Sequence, residues 1–92
     1  MVYNLIKDVI PSMHHLKIRE DGDFLIVSNH QLNIFFLDEV AKEFYLRANK
    51  DRTIEDIVDD LFEIYEVEKE ILIDDIINLI RDLQWKRLLS LK

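Results

Sequence analysis

This 92-residue sequence predicts an α+β fold, in which a three-stranded antiparallel meander precedes three helices packed as one layer on the sheet. Three observations predict it. Apolar residues alternate or run in short blocks up to Leu37, then take a helical period from Asp38 onward. Asp21-Gly22 separates two strand-like runs, in the manner of a tight hairpin. One glycine and one proline punctuate the whole chain, so the connections between elements must be short.

Pro11 and Ser12 divide a short N-terminal segment from the meander. Leu16 and Ile18 alternate with Lys17 and Arg19, the period-2 mark of a half-buried strand. Asp21-Gly22 supplies the central pair of the turn, and Phe24 to Val27 the bulky, β-branched return strand. Ser28-Asn29-His30 makes a second turn, and Gln31 to Leu37 a third strand at the edge.

Asp38 can accept from the orphan amides of the first helical turn. Leu37, Val40, Ala41, Phe44 and Ala48 then share one stripe, and Asn49 ends the helix by tolerating left-handed backbone. Thr53 and Asp56 form a capping box with aspartate in the usual Glu/Gln place. The helix they open buries Ile54, Ile57, Val58, Leu61, Phe62 and Tyr65. A third helix, about 68–84, turns Ile73, Ile76, Ile77, Ile80 and Leu83 inward, with Leu72 and Leu79 at the margin where a partner can reach them. Leu88, Leu89 and Leu91 close the chain as a short strand or apolar tail.

Composition narrows the function. The length suits a single domain, 1–92, with its core in about 13–89. The apolar content of 49 % supports a folded interior and the 34 % charged residues a wet exterior. With no cysteine there is no disulfide or thiolate metal site, as suits a reducing cytoplasm. No run nears the roughly 20 apolar residues that span a bilayer, and the N-terminus lacks a signal-peptide pattern. The net charge of −7 is uneven: Glu55 to Asp75 holds ten acids against Lys69 alone. That field repels phosphate backbones, and Lys86, Arg87 and Lys92 are too few for a nucleic-acid footprint.

Catalytic chemistry finds no foothold. His14 and His15 are adjacent on a strand and point to opposite faces, so they read as packing or solvated side chains. Glu55 with Asp59 and Asp56 with Asp60 lie opposite the apolar stripe and read as a solvated face. Ser12, Ser28 and Ser90 have no nucleophile-elbow context. Trp85 and the phenylalanines read as core or interface residues. No cofactor, metal or catalytic residue is expected; the chain reads as a binding module.

The edge strand is the place for binding. Leu32-Asn33-Ile34-Phe35-Phe36 carries neither charge nor proline, the usual guards of an unpaired strand. Either a neighbouring chain or the Leu88–Leu91 tail covers it, or an extended peptide adds to it as a further strand.

At these residues the chain resembles the PqqD-like family, the recognition elements of RiPP precursor peptides. The matches are Leu37-Asp38, Thr53-Ile54-Glu55-Asp56-Ile57, the Leu61 and Tyr65 pair, Asp75-Ile76, Leu83 and Leu88-Leu89, in order over about 16–89. Three departures stand out. The dipeptide after the meander ends in aspartate where the family has asparagine. The glycine before the threonine is missing, leaving its role to Asn49 or Asp51. Arg87 stands where a glycine usually precedes the last aliphatic pair.

The resemblance implies a winged helix-turn-helix-like fold that binds the leader segment of a ribosomally made precursor and presents it to a modifying enzyme. It implies a leader antiparallel to the third strand, in a groove between that strand and the third helix. The implied contacts are Leu32, Asn33, Ile34, Phe35 and Phe36 on the strand, and Leu72, Asp75, Ile76 and Leu79 on the helix, with Asp75 selecting a basic residue. The enzyme served would be a radical-SAM maturase, a lasso-peptide protease or a cyclodehydratase. Two other readings stand beside it: a small DNA-binding regulator, opposed by the acidic helices, and a homodimer that uses the same edge on itself.

Overall fold

The computed structural model describes residues 2–48 and 51–91. The helix end expected at Asn49 and the basic Lys92 lie outside the described residues. The elements are α1 (Val2–Ile6), β1 (Ser12–Met13), β2 (His15–Asp21), β3 (Phe24–Asn29), β4 (Ile34–Leu37), α2 (Glu39–Ala48), α3 (Ile54–Ile64), α4 (Lys69–Trp85) and β5 (Leu89–Ser90). The three-stranded sheet has the order β2-β3-β4, with antiparallel neighbours. Its α+β, winged helix-turn-helix-like plan is the expected one. No helix among the described residues is long and apolar enough to cross a membrane.

The meander differs from expectation in detail. Asp21 pairs with Phe24, so Gly22-Asp23 is the central pair of the first turn, one residue later than the sequence suggested. Gly22 has φ +61 while Asp23 keeps negative φ, the pattern of a type II′ turn. A register shift between His15 and Lys17 leaves Leu16 as an extra residue, and that bulge turns it out to solvent. Gln31 to Asn33 are not strand. Asn29 is buried, and its Oδ1 accepts from the amides of Gln31 and Asn33, each at 3.0 Å, while the Leu32 amide donates to the Asn29 carbonyl. These bonds wind the segment into a loop with Leu32 at φ 68, so β4 begins only at Ile34.

Helix starts follow their local chemistry. Asp38 Oδ1 accepts from the Ala41 amide at 3.1 Å. The Thr53–Asp56 capping box is formed in both directions. The next orphan amides of α3 are met by the N-terminal segment, for Ile54 donates to the Val9 carbonyl and Glu55 to that of Lys7. That docking explains why the first residues form α1 and bury Tyr3. Before Thr53, among the described residues, Asp51 is left-handed, at φ 56.

One apolar cluster unites Leu25 and Val27 of β3 with Leu37, Phe44, Ile57, Leu61, Ile76, Ile80 and Leu83. Phe62, expected in the α3 stripe, is exposed, and Tyr45, unmarked in the sequence, is fully buried. The tail does not cover the sheet edge. Leu89 pairs with Met13 and Ser90 with Ser12, a two-stranded clasp joining the two ends of the fold. Tyr45 braces it: its hydroxyl donates to the Leu88 carbonyl at 3.2 Å and lies 2.9 Å from His15 Nδ1. Burial pushes the Tyr45 phenol up, so it remains a donor.

Candidate functional site

Both β2 and β4 are edges, and among the described residues no strand pairs with the outer side of β4. Its side chains divide by the strand period. Phe35 and Leu37 lie opposite Val27 and Leu25, on the face that meets the helices. Ile34 and Phe36 lie opposite Ser28 and Ile26 on the other face, at 65 % and 66 % exposure.

A groove separates β4 from α4. Asp75, Leu79, Asp82 and Lys86 follow one another at helical i, i+4, i+7 and i+11 spacing, so one stripe of α4 faces it. At one end Asp38, Val40, Asp75, Asn78, Leu79 and Asp82 line a hollow of about 390 Å³. At the other, Asn33, Phe35, Trp85, Lys86 and Arg87 line one of about 330 Å³. Between them Lys86 bonds Asp82 at 2.5 Å and sits 5.4 Å from the Phe35 ring centre, a charged saddle over an aromatic floor. The first hollow is acidic and apolar, the second polar and basic.

The nine residues singled out in the sequence are therefore only partly together. Phe35, Asp75 and Leu79 face the groove. Ile34 and Phe36 border the added-strand position from the opposite face, where Ile34 lines a hollow with Lys17, Arg19 and Ile26. Leu32 and Asn33 belong to the loop at the basic end. Leu72 is 3 % exposed and Ile76 fully buried, because both turn into the core and not toward the margin.

Four residues escaped the sequence reading. Asn29 Nδ2 donates to the Lys86 carbonyl at 2.8 Å and so pins the loop before β4 to the end of α4. Lys86 forms the saddle. Trp85, expected in a core or interface, is 86 % exposed. Arg87 ends α4 in a Schellman arrangement, with the Leu88 amide on the Leu83 carbonyl and its own amide on that of Gln84. Its place where a glycine was expected was the one available signal.

The two histidines have structural partners. His15 meets Tyr45, and His14 Nε2 lies 2.7 Å from Ser90 Oγ in the clasp. The paired acids of α3 are surface groups with cationic neighbours: Asp60 bonds Arg52, and Asp59 meets Lys69 at 3.1 Å. Such exposed pairs are worth about 0–1 kcal/mol each.

No curated protein matches the sequence. The fold is similar to that of TbiB1 in complex with the TbiA(beta) leader peptide, with a TM-score of 0.75 and 22 % identity over 92 % of this chain and 93 % of that one. The sequence pattern of the family described as Coenzyme PQQ synthesis protein D (PqqD) matches residues 24–89, more than two-thirds of the sequence, and the chain belongs to that family.

Proposed function

We propose that this chain is a single-domain, non-catalytic adaptor of RiPP biosynthesis in the cytoplasm. It binds the leader of a precursor peptide by strand addition to β4 and presents the precursor to its modifying enzyme. The observation that carries this reading is the β4 edge: unpaired on its outer side among the described residues, without charge, proline or bulge, and facing a groove. The similarity in fold to a protein held with a leader peptide supports it. The leader takes its main-chain bonds from β4 and the adjoining Leu32-Asn33 loop. Alternate side chains enter the groove over Phe35 and Leu79, with Leu72 and Ile76 beneath, or lie on the opposite face beside Ile34 and Phe36. Asp75, which has no ion-pair partner among the described residues, receives a basic leader residue. The enzyme served is a radical-SAM maturase, a lasso-peptide protease or a cyclodehydratase.

The test is a titration of a fluorescein-labelled leader, taken from a precursor encoded beside this chain, followed by anisotropy. Leu79→Arg blocks the groove side and Phe36→Asp the opposite side. The expected result is a loss of at least tenfold in each; unchanged affinity in both overturns the assignment. The exposed Ile34 and Phe36 favour one second reading, a homodimer through the same edge. Light scattering with and without leader separates the two, since a leader that binds β4 dissolves such a dimer.

A further inference from the structure

The two ends of the groove are unlike, and antiparallel pairing gives them an order. β4 runs from Ile34 at the Trp85 end to Leu37 at the Asp38 end. A peptide antiparallel to it enters beside Asp38 and leaves beside Trp85.

Two residues at this exit, Trp85 and Arg87, and Leu32 in the loop whose Gln31 and Asn33 line the same hollow, hold positions that folding alone disfavours. Trp85, the one tryptophan of the chain, leaves its indole almost entirely in water, although burying such a ring is among the largest gains a side chain offers. Leu32 is 77 % exposed and sits in the left-handed region, where a bulky side chain is an outlier. Arg87, at φ 58, occupies the position after the helix cap where glycine avoids the clash of a Cβ. Backbone strain at Arg87, in the same hollow as an unpacked aromatic, is a mark of recognition.

Charge identifies the occupant. In a chain of net charge −7, this corner carries Lys86 and Arg87 side by side. Lys86 is matched by Asp82, but among the described residues Arg87 makes no ion pair. Arg87 also borders a second hollow, with His14, His30 and Ser90 on its far side, so its guanidinium stands at a junction open to solvent. An acid fits Arg87, and a flat or apolar side chain fits the indole and Leu32.

We infer that Trp85 and Arg87, flanked by the Leu32 loop, form a second recognition site, which takes an acidic stretch of the precursor just downstream of the strand-paired segment. The inference rests on the peptide reading above. Loop and strand geometry place that stretch about two to four residues beyond the one opposite Ile34, at roughly 3.4 Å per residue.

The test uses a displayed library of random 16-residue peptides, selected in parallel against the wild-type chain and Arg87→Gly. Glycine suits the left-handed position, so this variant folds, with a melting temperature equal to or above the wild type. Wild type is expected to enrich peptides in which Asp or Glu follows an alternating apolar stretch; Arg87→Gly is expected to lose that enrichment. Synthetic copies should shift Trp85 emission to the blue and shield it from acrylamide. Changing their acids to amides should weaken binding to wild type about fivefold and to Arg87→Gly less than twofold. Peptides that need Phe36 yet show no acid enrichment and leave Trp85 emission unchanged overturn the inference and assign the corner to another partner, such as the enzyme, while the leader reading stands. Failure to enrich any peptide overturns both.

Discussion

The central sheet has two edges of opposite character. β2 carries Lys17, Arg19, Glu20 and Asp21 within seven residues and a bulge at Leu16, each a recognised guard against pairing with another chain. β4 carries Ile-Phe-Phe-Leu, with no guard at all. The two strands flank the same β3 within one chain. The bareness of β4 is therefore local, and under the proposed function it is the edge left open for the leader.

Giving β4 the character of β2 breaks the comparison most severely. Ile34→Lys with Phe36→Lys places two cations on an exposed face, so the folded state should be nearly unaffected. Leader affinity should fall about 30-fold, close to 2 kcal/mol, as read by anisotropy. A variant that still binds leader within twofold removes the strand-addition reading.

Next in size is a change to the shared scaffold. Thr53→Ala removes the capping box of α3 and should cost about 1 kcal/mol of stability, near 4–8 °C in Tm. Affinity for leader should hold, because both edges keep their geometry; a loss of binding would tie the groove to the start of α3. The converse of the lysine variant is smaller. Lys17→Val with Arg19→Val strips β2 of its outward cations and should produce weak, concentration-dependent self-association in light scattering. Continued monodispersity would mean that the bulge at Leu16 guards that edge alone.

The smallest effect concerns pH. Burial, helped by nearby His30, holds the His15 imidazole below the ordinary histidine value. The unfolded chain accepts a proton near pH 6.5 and the folded chain only at lower pH, so the contribution of His15 is complete above about 6.5 and declines below it. His15→Asn, which keeps a donor toward Tyr45, should therefore lose less stability than wild type between pH 7.5 and 5.5 in urea titrations. Parallel losses in the two proteins would show that His15 does not titrate with folding.

What could be read in the sequence, and what could not, divides by range. The order of the three meander strands and the three long helices, the Thr53–Asp56 box, the Asp38 cap and the inward row Ile73, Ile76, Ile77, Ile80 and Leu83 are local patterns with a period or a fixed spacing, and all were legible. The start of β4 was not, since Gln31 to Asn33 look like strand until the Asn29 side chain, bonded to their amides, winds them into a loop. Leu72 was placed at the margin because periodicity gives a stripe but not its width, and its burial comes from long-range packing in the core. The β1–β5 clasp joins residues 76 to 78 positions apart through two residues on each side, too short to carry a pattern. At the groove, Phe35, Asp75 and Leu79 were found together. The division of Ile34 and Phe36 onto the other face follows from the strand period alone and was available. The roles of Lys86 and Arg87 depend on where α4 ends, which only the fold supplies.

Asn29 has a consequence for the thermodynamics of any peptide that enters. One buried amide closes the loop before β4 and ties it to the last turn of α4, so the two rails of the groove are held at a set distance before a ligand arrives. The loss of conformational freedom on association then falls on the peptide and hardly on the protein. Stiffening the peptide in its extended form should raise affinity through entropy, while loosening Asn29 should transfer part of that burden back to the protein and slow its capture of peptide.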